Sequence, residues 1–152
     1  MSGVEVTNES AIAIDVVGVA EQVEFLLAEL RLDPDTEVSL LFVDPDRMAQ
    51  LHVQWMDLEG PTDVMSFPMD DLAIPAEGET AEPGILGDIV MCPQVAAIQG
   101  DETGHGMTGE IELLVTHGVL HCLGMDHQED DERLVMFGIQ DDLLAKWRAV
   151  NA

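Results

Sequence analysis

The window His117-Gly118-Val119-Leu120-His121-Cys122-Leu123-Gly124-Met125-Asp126-His127 constrains this chain more than any other stretch. Ile111, Leu114, Val115, Val119, Leu120 and Leu123 recur at helical spacing from about Glu110 onward. His117 and His121 then share one helix face, with Cβ atoms ~6 Å apart. Gly124 supplies the left-handed residue that ends the helix, and the chain beyond it turns back to bring His127 to the same point. Three neutral imidazoles with an open fourth position are the donor set of a catalytic zinc site, whereas structural zinc is usually closed by four residues, commonly with thiolates. Three imidazoles also suit other transition metals. Core histidines would each need a partner, and this face otherwise offers Leu114 and Leu120. Cys122 sits beside the face and reads as a small core residue, as does Cys92. His52 and His105 read as lone histidines in surface or core roles.

The rest of the chain alternates short strands with helices. Val4 to Thr7 reads as a first strand. Asp15 caps a helix carrying Val16, Val19, Ala20, Val23, Leu26, Leu27 and Leu30, which ends near Asp33-Pro34. Val38 to Val43 is a buried strand. Asp44-Pro45 reads as N-cap and first-turn proline of a helix with Met48, Leu51, His52 and Trp55, stopped by Gly60-Pro61. Val64 to Phe67 and Ile85 to Met91 are strands, closed by Pro68 and Pro93. Between them, Asp70 to Gly84 is rich in Asp, Glu, Pro, Ala and Gly and reads as a long, mobile surface loop, with a lid over a site as the alternative. Val95 to Ile98 begins a short helix. A last helix opens in Glu129-Asp130-Asp131-Glu132, an acidic run that suits a helix N-terminus rather than a ligand cluster.

With no internal repeat, the 152 residues make one domain, residues 1–152. The expected class is α+β: a small mixed sheet packed with about five helices, and the metal site on a helix of the C-terminal half. An apolar fraction of 47% excludes a disordered tail in spite of the charge. That charge is −26, with 31 acids against five bases: Arg31, Arg47, Arg133, Lys146 and Arg148. A broad basic patch for a phosphate backbone cannot be built from them, and binding to an anionic membrane surface is disfavoured for the same reason. A solvated surface or a salt-adapted host would each account for the acidity. Two cysteines make no secreted disulfide framework, and neither a secretory signal nor a spanning segment is evident. The expected location is therefore the cytoplasm.

The histidine spacing is shared with metzincin proteases, whose motif is H-E-x-x-H-x-x-G-x-x-H. Here Gly118 stands where those enzymes carry their glutamate general base. Its absence opposes peptide hydrolysis, but not a reaction in which the metal itself makes water acidic. Restoring an acid with Gly118→Glu is expected to leave metal binding undamaged.

The sequence resembles the YbeY family, bacterial rRNA maturation factors regarded as zinc-dependent endoribonucleases. The signature H-G-x-L-H-L-x-G-y-D-H is met by His117, Gly118, Leu120, His121, Gly124, Asp126 and His127, with Cys122 for the usual leucine and Met125 for a common aromatic. A second block, P-T-D-V-L-S-F-P, matches Pro61 to Pro68 with Met65 for leucine, and a third, L-G-D-I, matches Leu86 to Ile89. The family often carries an arginine just before the second block, where this chain has Met56. An arginine there would hold a phosphate or its developing charge; Arg47 is a candidate substitute.

The resemblance implies a single-strand-directed metallo-endoribonuclease of rRNA maturation and ribosome biogenesis, acting on rRNA precursor within small-subunit particles. One Zn2+ per chain would be held by His117, His121 and His127. Thr62, Asp63 and Ser66 carry over as candidate cleft residues beside a plain turn-and-strand role, and Asp88 or Asp126 as the group that orients a ligating histidine. The acidity points to a basic ribosomal protein as partner. The rival readings are a metzincin-like metalloprotease, opposed by Gly118, and a non-catalytic ribosome-assembly factor.

Overall fold

In β2 (Glu37–Phe42), Val38, Leu40 and Phe42 turn into the core while Glu37 and Ser39 face out. This period-two pattern is what a pleated strand requires. A computed structural model describes residues 3–56, 62–79 and 81–151 of the chain. Their order is β1 (Gly3–Asn8), α1 (Val16–Glu29), β2, α2 (Pro45–Met56), β3 (Val64–Pro68), β4 (Ile85–Met91), α3 (Pro93–Thr103), α4 (Gly106–Cys122) and α5 (Asp130–Val150). The sheet runs β1-β2-β4-β3. The first three of these strands are parallel, and β3 pairs antiparallel to β4 at the edge. The expected small mixed sheet with five helices is what forms.

Both sheet faces are covered. Val38, Leu40, Phe42, Ile89 and Met91 pack with α1 and α4 residues in the main core. Alternate residues of the same strands, Leu41 and Val90, with Met65 of β3, meet Met48 and Leu51 of α2 on the other side. α4 is the central helix, in contact with α1, α3, α5, β3 and β4. Its polar ties fix the neighbouring helices. The buried Gln22 amide donates to the Glu112 carbonyl at 2.8 Å and to Thr116 Oγ1 at 3.1 Å. The Trp147 indole donates to Glu112 Oε2 at 3.0 Å, and Arg148 stands 3.6 Å from Oε1 of the same carboxylate. Among the described residues no helix is long and apolar enough to cross a membrane.

Several boundaries differ from the sequence expectation for physical reasons. α1 ends at Glu29, short of Asp33-Pro34, because Arg31 takes the left-handed conformation at φ 61°. The Arg31 amide then reaches the Ala28 carbonyl and the Leu32 amide reaches the Leu27 carbonyl, at 3.1 and 2.9 Å. This double closure usually uses glycine; here the Arg31 guanidinium also bonds the Pro75 carbonyl at 2.6 Å. α3 spans Pro93–Thr103, so it starts two residues before Val95. Pro93 stops β4 and is also the first residue of the helix, a position that suits proline. α4 begins at Gly106, a turn before Glu110. Pro45 opens α2 as expected, yet the Asp44 carboxylate points elsewhere, accepting from the Ala11 amide at 2.8 Å and the Gln94 amide at 2.6 Å. The Gly60-Pro61 stop lies outside the described residues.

The described residues between β3 and β4 form no helix or strand and make several contacts with the rest of the fold. Asp70 pairs with Ile85 through both backbone and carboxylate, at 2.9 and 2.7 Å. Leu72, Ile74 and Ala81 rest against the main core.

Candidate metal centre

α4 carries His117 and His121 on one face, and its end sets the third histidine. Gly124 adopts φ 86°. Its amide bonds the His121 carbonyl at 3.0 Å, and the Met125 amide bonds Leu120 at 3.1 Å. The chain therefore reverses directly after the helix. Asp126 Oδ1 accepts the His127 amide at 2.7 Å, and Arg133 Nε donates to the His127 carbonyl at 3.4 Å. The result is a tight cluster in which the candidate ligand nitrogens of His117, His121 and His127 all lie within 4.8 Å of one another. Ring centroids stand 4.5 to 5.3 Å apart. That convergence fits a single metal ion with three protein ligands.

The cluster is also electrostatically suited to a cation. Burial pushes His117 below the ordinary imidazole range, against the opposing effect of its Gln140 bond. Burial lowers His121 too, helped by its two histidine neighbours. Both rings are thus neutral at neutral pH, the form that ligates. His117 Nδ1 lies 2.9 Å from Gln140 Oε1. With the proton on Nδ1 donated to that oxygen, Nε2 keeps its lone pair. Gln140 sits on α5, 6% exposed.

The histidines open onto a cleft of about 690 Å³ between β3 and helices α4 and α5. Of the sequence candidates, Asp63 and Ser66 line it. Asp63 Oδ1 accepts the Val64 amide at 2.7 Å and the Thr62 hydroxyl at 3.3 Å, and Thr62 itself is not among the described residues lining the cleft. The Ser66 hydroxyl donates to the Gly118 carbonyl at 3.3 Å. Asp88 stands on β4 near Cys122, whose thiol is pushed up to about 12, chiefly by burial and in part by Asp88. Arg47 lies on α2, 3.4 Å from Gln50 Oε1. No lysine or arginine is among the described residues lining the cleft. The side chain of Met56 lies outside the described part.

Sequence reasoning missed Gln140, Glu110, Gln99 and Phe137. Glu110 lines the cleft at 6% exposure, with Oε1 2.9 Å from His105 Nε2. With its amide nitrogen toward the two carboxylates, Gln99 reaches Glu110 Oε2 at 3.1 Å and Asp63 Oδ2 at 3.2 Å. His105 is therefore a partner of a buried acid rather than a lone histidine. A signal for Glu110 did exist: it precedes His117 by two helical turns and so shares its face. A Cβ at 118 would lie 3.1 Å from Ile89 Cγ2 and 3.3 Å from Ser66 Oγ. α4 therefore packs closely onto the sheet at Gly118, and a side chain there would require Ile89 or Ser66 to shift.

Comparison with known proteins agrees with this geometry. A family model described as Endoribonuclease YbeY matches residues 6–148. A Thermobifida fusca protein named Endoribonuclease YbeY is 54% identical over 145 residues, covering 95% of this chain and 94% of its own. A Streptomyces coelicolor protein of the same name is 51% identical, covering 96% of this chain and 90% of its own. A solution structure from Thermotoga maritima shares the fold with a TM-score of 0.65 at 24% identity, over 96% of this chain and 92% of that one.

Proposed function

The chain belongs to the endoribonuclease YbeY family, and from that premise we propose that it hydrolyses RNA phosphodiesters in the cytoplasm, on rRNA precursors held in small-subunit particles. The observation that carries this reading is the three-imidazole cluster at the wall of an open cleft. We assign Zn2+ as the ion, held by His117, His121 and His127. When bound, it supplies a Lewis acid for a phosphoryl oxygen and acidifies water. The chain's own residues do the rest. Gln140 fixes the tautomer of His117. Asp126 and Arg133 hold the His127 backbone in place. Asp63, anchored by the Val64 amide and close enough for its charge to act on His117, is the cleft carboxylate placed to take up a proton.

A protease reading is disfavoured because Gly118 offers no carboxylate where zinc proteases of this spacing carry their general base. The test incubates metal-loaded protein with pre-rRNA in ribosomal particles, with naked pre-rRNA and with unfolded protein. Metal-dependent cleavage of RNA alone is expected. Asp63→Asn should lower its rate about a hundredfold while metal content stays near one equivalent. Cleavage of protein, or of neither polymer, would replace this reading with the protease or the assembly factor. A basic ribosomal protein is the proposed partner, since a charge of −26 favours a cationic docking face.

A further inference from the structure

The cleft must hold a polyanion, yet none of the described residues that line it is a lysine or arginine. Neutralising phosphates, the usual source of affinity for nucleic acid, cannot be the main device here. A different one is present. Phe137 lies on α5 at the edge of the buried stripe formed by Met136, Gln140, Leu143 and Leu144. The residue is 37% exposed and lines the cleft. The ring centroid stands 5.8 Å from that of His127 and 6.3 Å from that of His117, tilted by 36° and 49°. One turn earlier on α5, Leu134 is 75% exposed. Core packing does not account for a phenyl ring left partly open beside two imidazoles, in a chain with only four phenylalanines and no tyrosine.

We propose that Phe137 is a nucleobase-stacking residue. It would take an unpaired base of RNA onto its exposed face while the adjoining phosphate lies over the three histidines. This rests on the nuclease reading and deepens it by naming a residue that would hold the substrate's base. Stacking on an aromatic ring tolerates any base, because every base has a π-face, and it gives affinity without cationic side chains. It also demands a base free of its pairing partner, in keeping with the single-strand direction that the family resemblance implies. The alternative, a phenyl ring that merely shields the imidazoles from water, would be met equally well by leucine.

The test uses full-length protein and a short single-stranded RNA carrying 2-aminopurine. Quenching and affinity are read within seconds of mixing, and cleavage is read afterwards. Wild type and Phe137→Trp should quench the fluorescence. Phe137→Ala and Phe137→Leu should lose the quench and about tenfold in affinity, with metal content and melting temperature unchanged. Equal affinity and quench for Phe137→Leu and wild type would overturn the proposal. RNA cleavage that needs His121 but shows no quench would overturn the stacking and leave the nuclease reading standing. A Phe137-dependent quench without metal-dependent cleavage would do the reverse.

Discussion

Gln140 shows what a single side chain contributes to the site and why its sequence did not announce it. It lies 23 positions from His117 and on another helix, within an acidic, unremarkable stretch; only the packing of α5 on α4 brings its oxygen to 2.9 Å from Nδ1. The three histidines, by contrast, were legible because their relation is local: helix spacing and one glycine. Outer partners of this kind typically hold ten- to hundredfold in metal affinity. Gln140→Ala should therefore weaken zinc binding about tenfold in a competition titration against a chelator, while Gln140→Glu, which keeps an acceptor, should retain it. Unchanged affinity in the alanine variant would show that the bond does not orient the ring. The cysteines make the opposite case. Both are buried, and burial pushes both thiols up, Cys122 to about 12. A thiol that stays protonated is a poor nucleophile. Ellman's reagent should find no reactive thiol in the native protein and two after unfolding; a fast native reaction would contradict the burial.

The same C-terminal closure ends α1 and α4, but only one of the two could be read in advance. At Gly124 the residue type declares the left-handed turn, whereas at Arg31 a non-glycine adopts it because its guanidinium gains the Pro75 carbonyl and Leu32 gains the core. Likewise α3 starts two residues ahead of Val95 because Pro93 serves as both strand stop and helix start. Tertiary contacts of that sort override local signals. Gly118 tests the packing between elements. Ile89 is fully buried on a central strand, so its Cγ2 has little freedom to retreat from a new Cβ at 3.1 Å. Gly118→Ala gains helix propensity of about 1 kcal/mol and loses a similar amount to crowding, for a small net change. Gly118→Glu adds a charge and further volume to the same gap, and should lose about 3 kcal/mol or more in urea unfolding. Wild-type stability in the glutamate variant would mean that α4 is free to lift from the sheet.

At the scale of the whole molecule the governing quantity is the net charge of −26, which the sequence gives directly but whose functional sense depends on where the five bases sit. The structure disperses them. Arg31 is bound to the 70–84 segment, Arg47 lies on α2, Lys146 pairs with Glu29 and Asp142, and Arg148 stands beside Glu112. Arg133 comes nearest the histidines, and its guanidinium is engaged with the His127 carbonyl and Asp130. No groove of the kind that tracks a phosphate backbone results. A nuclease with such a groove loses affinity steeply as salt rises, because it releases counterions from each neutralised phosphate. Here the long-range force on naked RNA is repulsive, and a single bound dication offsets little of it. Screening shortens the reach of that repulsion, from about 30 Å at 0.01 M to about 10 Å at 0.1 M ionic strength. The cleavage rate on naked pre-rRNA should therefore rise from the lower to the higher of these salt concentrations. On assembled particles, if the proposed basic protein draws the acidic surface in, the rate should instead fall over the same range. Both rates are to be measured with the same metal-loaded protein. A steep fall on naked RNA would reveal a cationic surface that these residues do not form, and would remove the reason for the partner.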